Sequence, residues 1–341
     1  MKTCTVGNRN NLVISEQEVP KISDDEILVE MRACGICGTD VEKIRGNYSS
    51  RILGHEAVGI VASTGKNVSN FKAGDRVFPH HHVPCYECHY CMSGSETMCP
   101  QFSKSNLDPG GLSEFFRVPA WNIKKGGVFR LPEGLGFRTA TMIEPLACVL
   151  RGLGKIPVSG SDTVGIVGVG PVGMMHVTAL KIISDCRIVA VDISEDRLKF
   201  ASLIGADMAV TPADAVREVE LATGGIGADV VFVASGSSGA IGTGIKMLRK
   251  GGKMIQFGLP PPNTHLPADY SEIFKREISI MPTYSAVERE VAAAIEMIAS
   301  HQAEFSRLIS DVFGLEDAEK AFNIAEKGEA ARKIIIERGE N

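Results

Sequence analysis

Two hydrophobic rhythms divide the chain. Up to about residue 120, apolar positions come in short alternating runs, at 27–31, 57–62 and 76–78, separated by Gly and Asp turns. A period of two places successive side chains on opposite faces, so this region predicts half-buried, mostly antiparallel strands. From 163 the pattern changes. The run at 164–167 is apolar without interruption, the strand at 187–191 is apolar after Arg187, and further strand-like segments lie at 227–236 and 251–260. Helical stretches at 174–183 and 239–248 fall between them. Strands alternating with helices at this spacing predict an α/β fold with a parallel, doubly wound sheet. The end of the chain predicts helices at 287–300 and 315–327, then a strand at 333–337. There is no internal repeat and no low-complexity tract.

Composition narrows the class. A chain of 341 residues suggests about two domains, each large enough for its own core. With 44% hydrophobic residues it is too apolar for a disordered protein. A net charge of −5 argues against a nucleic-acid binder that works by broad phosphate neutralisation. No run of about 18 apolar residues is present to span a bilayer, and the first residues hold no apolar signal core. The expected compartment is the cytoplasm, where clustered thiols suggest metal rather than disulfides.

Nine cysteines are present, and four of them, Cys85, Cys88, Cys91 and Cys99, fall within one short loop. Such spacing lets the loop fold back so that four thiolates reach a single tetrahedral ion. A closed shell of this kind leaves no position for substrate, so the expected role is a structural zinc that fixes a loop with little apolar content. A second set lies upstream, in Gly35-Ile36-Cys37-Gly38-Thr39-Asp40 and Gly54-His55-Glu56. One thiolate, one imidazole and a carboxylate form a mixed, dispersed set suited to a catalytic zinc with an open position. Alone it is a weak signal, because a single Cys and a single His are more often core residues. His80-His81-His82 is a poor metal site, since consecutive strand residues face opposite ways. One of the three lining a cleft is the better reading.

The strand at 164–167 runs into Gly168-x-Gly170-x-x-Gly173, a helix follows, and the next strand ends in Asp192, 19 residues after Gly173. This is the complete setting of a dinucleotide site. The first Gly permits a tight turn, the second lets backbone approach the pyrophosphate, and the third packs helix on strand. Val172 lies at the helix start, whose free N–H groups face the phosphates. Asp192 can accept hydrogen bonds from the ribose hydroxyls and would repel a 2′-phosphate, which favours NAD over NADP. Arg197 could reach such a phosphate; the preferred reading packs it against the adenine edge or in solvent. Ligands sit at the carboxyl ends of such strands, so Ser235, Gly258 and Leu259 should face the cofactor.

Taken together and in order, Gly-Ile-Cys37-Gly-Thr39-Asp40, Gly-His55-Glu56, Gly74-Asp75-Arg76-Val77, the four-cysteine loop, Glu144-Pro145-Leu146 and the Rossmann glycines resemble the zinc-containing medium-chain alcohol dehydrogenases over nearly the whole chain. Glu144-Pro-Leu is similar to the sorbitol (polyol), threonine and sugar dehydrogenase branch. The resemblance implies a GroES-like β-rich catalytic domain over 1–147 and 281–341, a Rossmann domain over 148–280, and an active site in the cleft between them. It implies Cys37, His55 and Glu56 as catalytic zinc ligands, with Glu144 approaching the metal directly or through water. Which glutamate ligates in the resting state stays open. Thr39 matches the hydroxyl that relays the proton, Asp40 a carboxylate that orients the His ligand, and Thr283 and Tyr284 the segment approaching nicotinamide and substrate. Glu42 stands where many members carry a relay His, so the proton's outlet is open.

The implied activity is hydride transfer between a secondary alcohol (polyol, sugar or cyclitol-like) and NAD, with two zinc ions per chain. An L-threonine 3-dehydrogenase and a sugar or ketone reductase are the alternatives within the family. A non-catalytic, zinc-stabilised structural or regulatory module is the alternative of another class, and it predicts a degraded catalytic set that this chain does not have. The expected partners are a small-molecule alcohol or ketone and further copies in a homodimer or homotetramer, with no nucleic acid and no membrane.

Overall fold

A computed structural model describes residues 1–47, 50–328 and 332–339. The chain divides into two compact units, Met1–Ala147 with Ala286–Asn341, and Cys148–Ser285. The first boundary falls inside the helix Ile143–Leu153. The second lies five residues beyond the expected 280/281, because the strand Ser279–Pro282 still belongs to the second unit's sheet.

The strands in chain order are β1 (Lys2–Val6), β2 (Leu12–Glu16), β3 (Ile27–Gly35), β4 (Glu56–Thr64), β5 (Arg76–Pro79), β6 (Phe115–Val118), β7 (Val128–Arg130), β8 (Thr163–Val167), β9 (Arg187–Val191), β10 (Met208–Val210), β11 (Ala228–Val233), β12 (Leu248–Gln256), β13 (Ser279–Pro282), β14 (Ile309–Gly314) and β15 (Lys333–Glu337). In the first unit a seven-stranded sheet runs β14-β15-β3-β4-β5-β7, with β6 also paired to β3, and β1-β2 form a separate antiparallel ribbon. Its pairings are antiparallel except β14 with β15. That parallel pair is joined through the helix Ala318–Lys327, a βαβ unit closing an antiparallel sheet. β14 carries no clean alternation and was not expected from the pattern.

β3 shows how the pattern turns into architecture. Its first residues alternate buried and half-buried, then Ala33, Cys34 and Gly35 are all buried. The alternation ends where β15 joins one side and β4 the other. The second unit is a six-stranded parallel sheet, β10-β9-β8-β11-β12-β13. β8 is buried along its whole length, as its unbroken apolar run requires when helices cover both faces. Each unit has its own core, one around Met31, Val61, Phe116 and Ile336, the other around Val189, Val231, Val233 and Ile245. Among the described residues no helix is long and apolar enough to cross a membrane.

Candidate active site

Strand pairing assembles the upstream metal set. In the β3/β4 register Gly35 stands opposite Glu56, so the residues just after β3 meet those that open β4. Cys37 caps the helix Gly38–Ile44, with half-buried Thr39 in its first turn. Asp40, with no exposed surface, ties the pieces together: one oxygen accepts from the Cys37 N–H at 3.4 Å, the other from the Gly54 N–H at 3.3 Å. The same second oxygen lies 3.4 Å from His55 Nδ1. Gly54 has φ +79°, and a Cβ there would meet the Leu112 backbone nitrogen at 2.4 Å, so the turn that presents His55 needs glycine.

The result is a set of three potential ligand atoms, from Cys37, His55 and Glu56, all within 4.8 Å of one another. His55 turns Nδ1 to Asp40, which leaves Nε2 for a metal. Burial opposes charge on the His55 ring, yet Asp40 and Cys37 raise its pKa well above the ordinary value. Burial likewise opposes the Asp40 carboxylate, but His55, Lys43 and the Gly54 N–H hold it down at about 2. Such a site is built to surround positive charge, which fits a divalent cation on a thiolate, an imidazole and a carboxylate. Glu144, buried in the first turn of Ile143–Leu153, is not one of these three, but its charge acts on Glu56 and on Lys333. Glu42 faces outward and is held by Arg45 at 2.7 Å and by Asn47.

Lys333 is the site residue that sequence reasoning missed. It opens β15, is 3% exposed, and places its ammonium against both carboxylate oxygens of Glu56. Gly35 makes room for this pair: a Cβ there would lie 1.9 Å from Glu56 Oε2 and 2.8 Å from Lys333 Cε. A charged residue heading an apolar strand was the available signal, but nothing local named its partner.

The four-cysteine loop closes on itself. Sγ–Sγ separations are 3.5 Å for Cys85–Cys99, 3.6 Å for Cys88–Cys91 and 3.9 Å for Cys85–Cys91. A tetrahedron with arms of about 2.3 Å has edges of about 3.8 Å, so the loop already has the size of a zinc–thiolate shell. All nine cysteines are free thiols. N–H groups of Glu87 and Cys88 lower the Cys85 thiol to about 6, while burial raises Cys91. The loop is tied to the helix Glu288–Ser300 by Tyr86 to Glu288 and Arg289 to Glu96, and Lys125 donates to the Cys85 carbonyl at 2.8 Å.

The three consecutive histidines have separate surroundings. His80 Nδ1 pairs with Glu288 at 2.9 Å and His82 Nδ1 with the Ser105 carbonyl at 2.9 Å. His81 instead lies against His55, ring centroids 5.0 Å apart.

In the second unit the glycines sit where the cofactor motif needs them. Gly168 has φ +90°, and a Cβ at Gly173 would meet the Gly168 carbonyl oxygen at 2.0 Å. A Cβ at Gly170 would meet nothing nearer than the Arg197 guanidinium at 3.9 Å, so open space faces it at the start of the helix Pro171–Ile183, which also carries Val172. That cradle fits a pyrophosphate. Asp192, 6% exposed, accepts from the Val169 N–H at 2.8 Å and the Ser194 N–H at 2.9 Å. Arg197 lies 3.9 Å from Asp192, facing this site rather than open solvent. Ser235 and Gly258 stand in turns after β11 and β12 that touch: a Cβ at Gly258 would lie 2.3 Å from the Ser235 carbonyl carbon. Gln256, also missed, donates to the carbonyls of Ser235 and Gly258 and so joins the two turns. Leu259 and Tyr284 are exposed, whereas the Thr283 hydroxyl is buried without a partner.

Comparison with known proteins gives two family matches along the chain. Residues 23–132 match the alcohol dehydrogenase GroES-like domain family, and residues 171–300 match the zinc-binding dehydrogenase family. The chain is 30% identical to sorbitol dehydrogenase of Bacillus subtilis, over 95% of this chain and 93% of that protein. The chain belongs to the zinc-containing medium-chain alcohol dehydrogenases. It is 29% identical to the L-threonine 3-dehydrogenase of Bacillus velezensis, over 97% of each protein. Among solved structures, an alcohol dehydrogenase from Thermotoga maritima superimposes with a TM-score of 0.88 at 25% identity, covering 99% of both chains. Membership makes the protein a zinc-dependent oxidoreductase of the alcohol and polyol dehydrogenase type, with a GroES-like and a Rossmann-like part.

Proposed function

We propose that the protein oxidises a secondary alcohol of the polyol, sugar or cyclitol type, with NAD as the hydride acceptor. The observation that carries this reading is the convergence of Cys37, His55 and Glu56 in a set of three, which leaves a coordination position for a substrate oxygen. Zinc supplies Lewis acidity toward the alcohol hydroxyl, and the nicotinamide takes the hydride. The chain's own residues prepare that chemistry. Cys37, His55 and Glu56 hold the ion, with Glu144 close enough to influence Glu56. Asp40 fixes the ring of His55 so that one nitrogen faces inward. Thr39 takes the proton released at the hydroxyl. Lys333 sets how freely Glu56 approaches the metal, because that carboxylate must leave an ion pair to ligate. Cys85, Cys88, Cys91 and Cys99 hold a second, structural zinc.

The region before Ala147 with the end of the chain is assigned the catalytic role, and the parallel-sheet region the dinucleotide role. Gly168, Gly170, Val172 and Gly173 cradle the pyrophosphate; Asp192, with Arg197 beside it, takes the ribose; Ser235, Gly258, Leu259, Thr283 and Tyr284 flank the nicotinamide. Both Asp192 oxygens being held by backbone N–H groups keeps its charge in place, which supports NAD over NADP. Nine free thiols are in keeping with a cytoplasmic location. A homodimer or homotetramer is proposed, with the edge strand β13 available for pairing.

The test is a screen for NADH formation at 340 nm over polyols, sugars, cyclitols, L-threonine and simple primary alcohols, together with zinc analysis. Two zinc ions per chain and turnover of polyols are expected. Activity on L-threonine alone would defeat the polyol assignment, and one zinc with no NAD binding would defeat the enzyme reading.

A further inference from the structure

Three histidines follow β5, and two of them have structural work to do. His80 pairs with Glu288, which also accepts from Tyr86, and His82 pairs with the Ser105 carbonyl. His81 differs. It is 7% exposed, its Nδ1 is sealed without a partner, and no hydrogen bond among the described residues engages its Nε2. The sealed Nδ1 is left unmet at a cost in free energy, and Nε2, which is not sealed, is the nitrogen left for a partner from outside the chain. Its ring lies against two others, 5.0 Å from the His55 centroid and 4.1 Å from that of His82. Two rings of this run keep an unmet nitrogen, His80 at Nε2 and His81 at Nδ1, and of these it is His81 that lies beside a residue of the three-ligand set.

We propose that His81 hydrogen-bonds a second hydroxyl of the substrate, on the carbon next to the one oxidised, and so selects vicinal diols over simple secondary alcohols. The inference rests on the reading of Cys37, His55 and Glu56 as the catalytic centre. Two features support it. First, His81 is one ring away from His55, so a group that meets it belongs to a molecule already held at the metal position. The two oxygens of a vicinal diol, three bonds apart, suit that arrangement. Second, an imidazole in its neutral form donates from one nitrogen and accepts at the other, which matches a hydroxyl.

The test compares butane-2,3-diol with butan-2-ol as substrates for the wild-type holoenzyme, His81→Phe and His81→Asn, each checked for an unchanged zinc content. His81→Phe is expected to lower kcat/KM for the diol by about tenfold or more, mainly through KM, because a site built for a hydroxyl loses that contact. The change for butan-2-ol should stay within about threefold, and His81→Asn, which keeps a donor and an acceptor, should recover part of the loss. Equal losses on both substrates, or no loss on either, would overturn the proposal. A binding readout separates its failure from that of the underlying reading. In protein labelled with ¹⁵N-histidine and saturated with NAD, the His81 nitrogen resonances should move on adding the diol and stay with butan-2-ol. If the wild type turns over neither compound, the reading of the centre fails; if the resonances do not move with the diol, the role of His81 fails.

Discussion

Replacing Lys333 by Met removes the cation from a pair in which the lysine is 3% exposed and Glu56 has no exposed surface. The carboxylate cannot turn to water, because the Gly35 backbone lies over it; even a Cβ there would fall 1.9 Å from Oε2. Two responses are open to it. It can stay charged and unpaired, which costs about 3–5 kcal/mol, or it can take up a proton. Burial already raises its pKa, so protonation is comparable in cost at pH 7 and becomes the cheaper route as pH falls. Taking up a proton at pH 7 against an unfolded-state pKa of about 4.3 costs about 4 kcal/mol, and at pH 5 about 1 kcal/mol. The sign follows from linkage. An acid whose folded pKa is raised is a burden above its unfolded pKa, and the burden lightens as pH falls. Lys333→Met should therefore lose about 4 kcal/mol relative to wild type at pH 7 and about 1 kcal/mol at pH 5. Urea unfolding followed by the fluorescence of Trp121, the only tryptophan, reports on this unit. The measurement belongs after mild chelation, since zinc at the centre would take over the freed carboxylate. The double variant Lys333→Met/Glu56→Met should regain most of the loss. A loss below about 1 kcal/mol at pH 7, an equal loss at pH 5, or a double variant no better than the single one would refute the argument.

Three other outcomes are expected. Cys99→Ser opens the closed thiolate shell, so zinc content should fall from two ions to one per chain and Tm by roughly 10 °C, as metal analysis and calorimetry would register. Asp192→Asn removes the charge that repels a 2′-phosphate while keeping one acceptor for the Val169 or Ser194 N–H; the ratio of kcat/KM for NAD over NADP should drop by about tenfold, and Arg197→Ala added to it should reverse the change. His176 is fully buried between Phe232 and Phe257, and burial holds its pKa down at about 4. A base with a lowered folded pKa contributes stability above its unfolded pKa and loses it as pH falls, here from about 6.5 to about 4; His176→Phe should flatten acid destabilisation across that window by up to about 3 kcal/mol, read from unfolding midpoints at successive pH values.

What could be read from the sequence was what lies close together in it. Cys85 to Cys99 occupy one loop, and the glycines from 168 to 173 one turn, so spacing alone carried the chemistry. β8, β9 and β15 announced themselves because an unbroken apolar run has few other uses. The upstream set was half-legible: Cys37, His55 and Glu56 could be named, but their meeting depends on the β3/β4 register. β14 was not visible, since its alternation is weak and its place comes from a parallel partner across the helix Ala318–Lys327.

Sequence by itself determined the main alternation of strands and helices, the two kinds of sheet, the zinc loop and the dinucleotide turn, because each follows from hydrophobic period or from ligands a few residues apart. Tertiary structure alone decided that Lys333 meets Glu56 across 277 positions, that Gly35 must be small to admit the pair, and that only one of three adjacent histidines is turned to His55 with nothing to bond. Those facts depend on which strands become neighbours and in what register. That choice is made by burial summed over the whole sheet, and no short window of residues contains it.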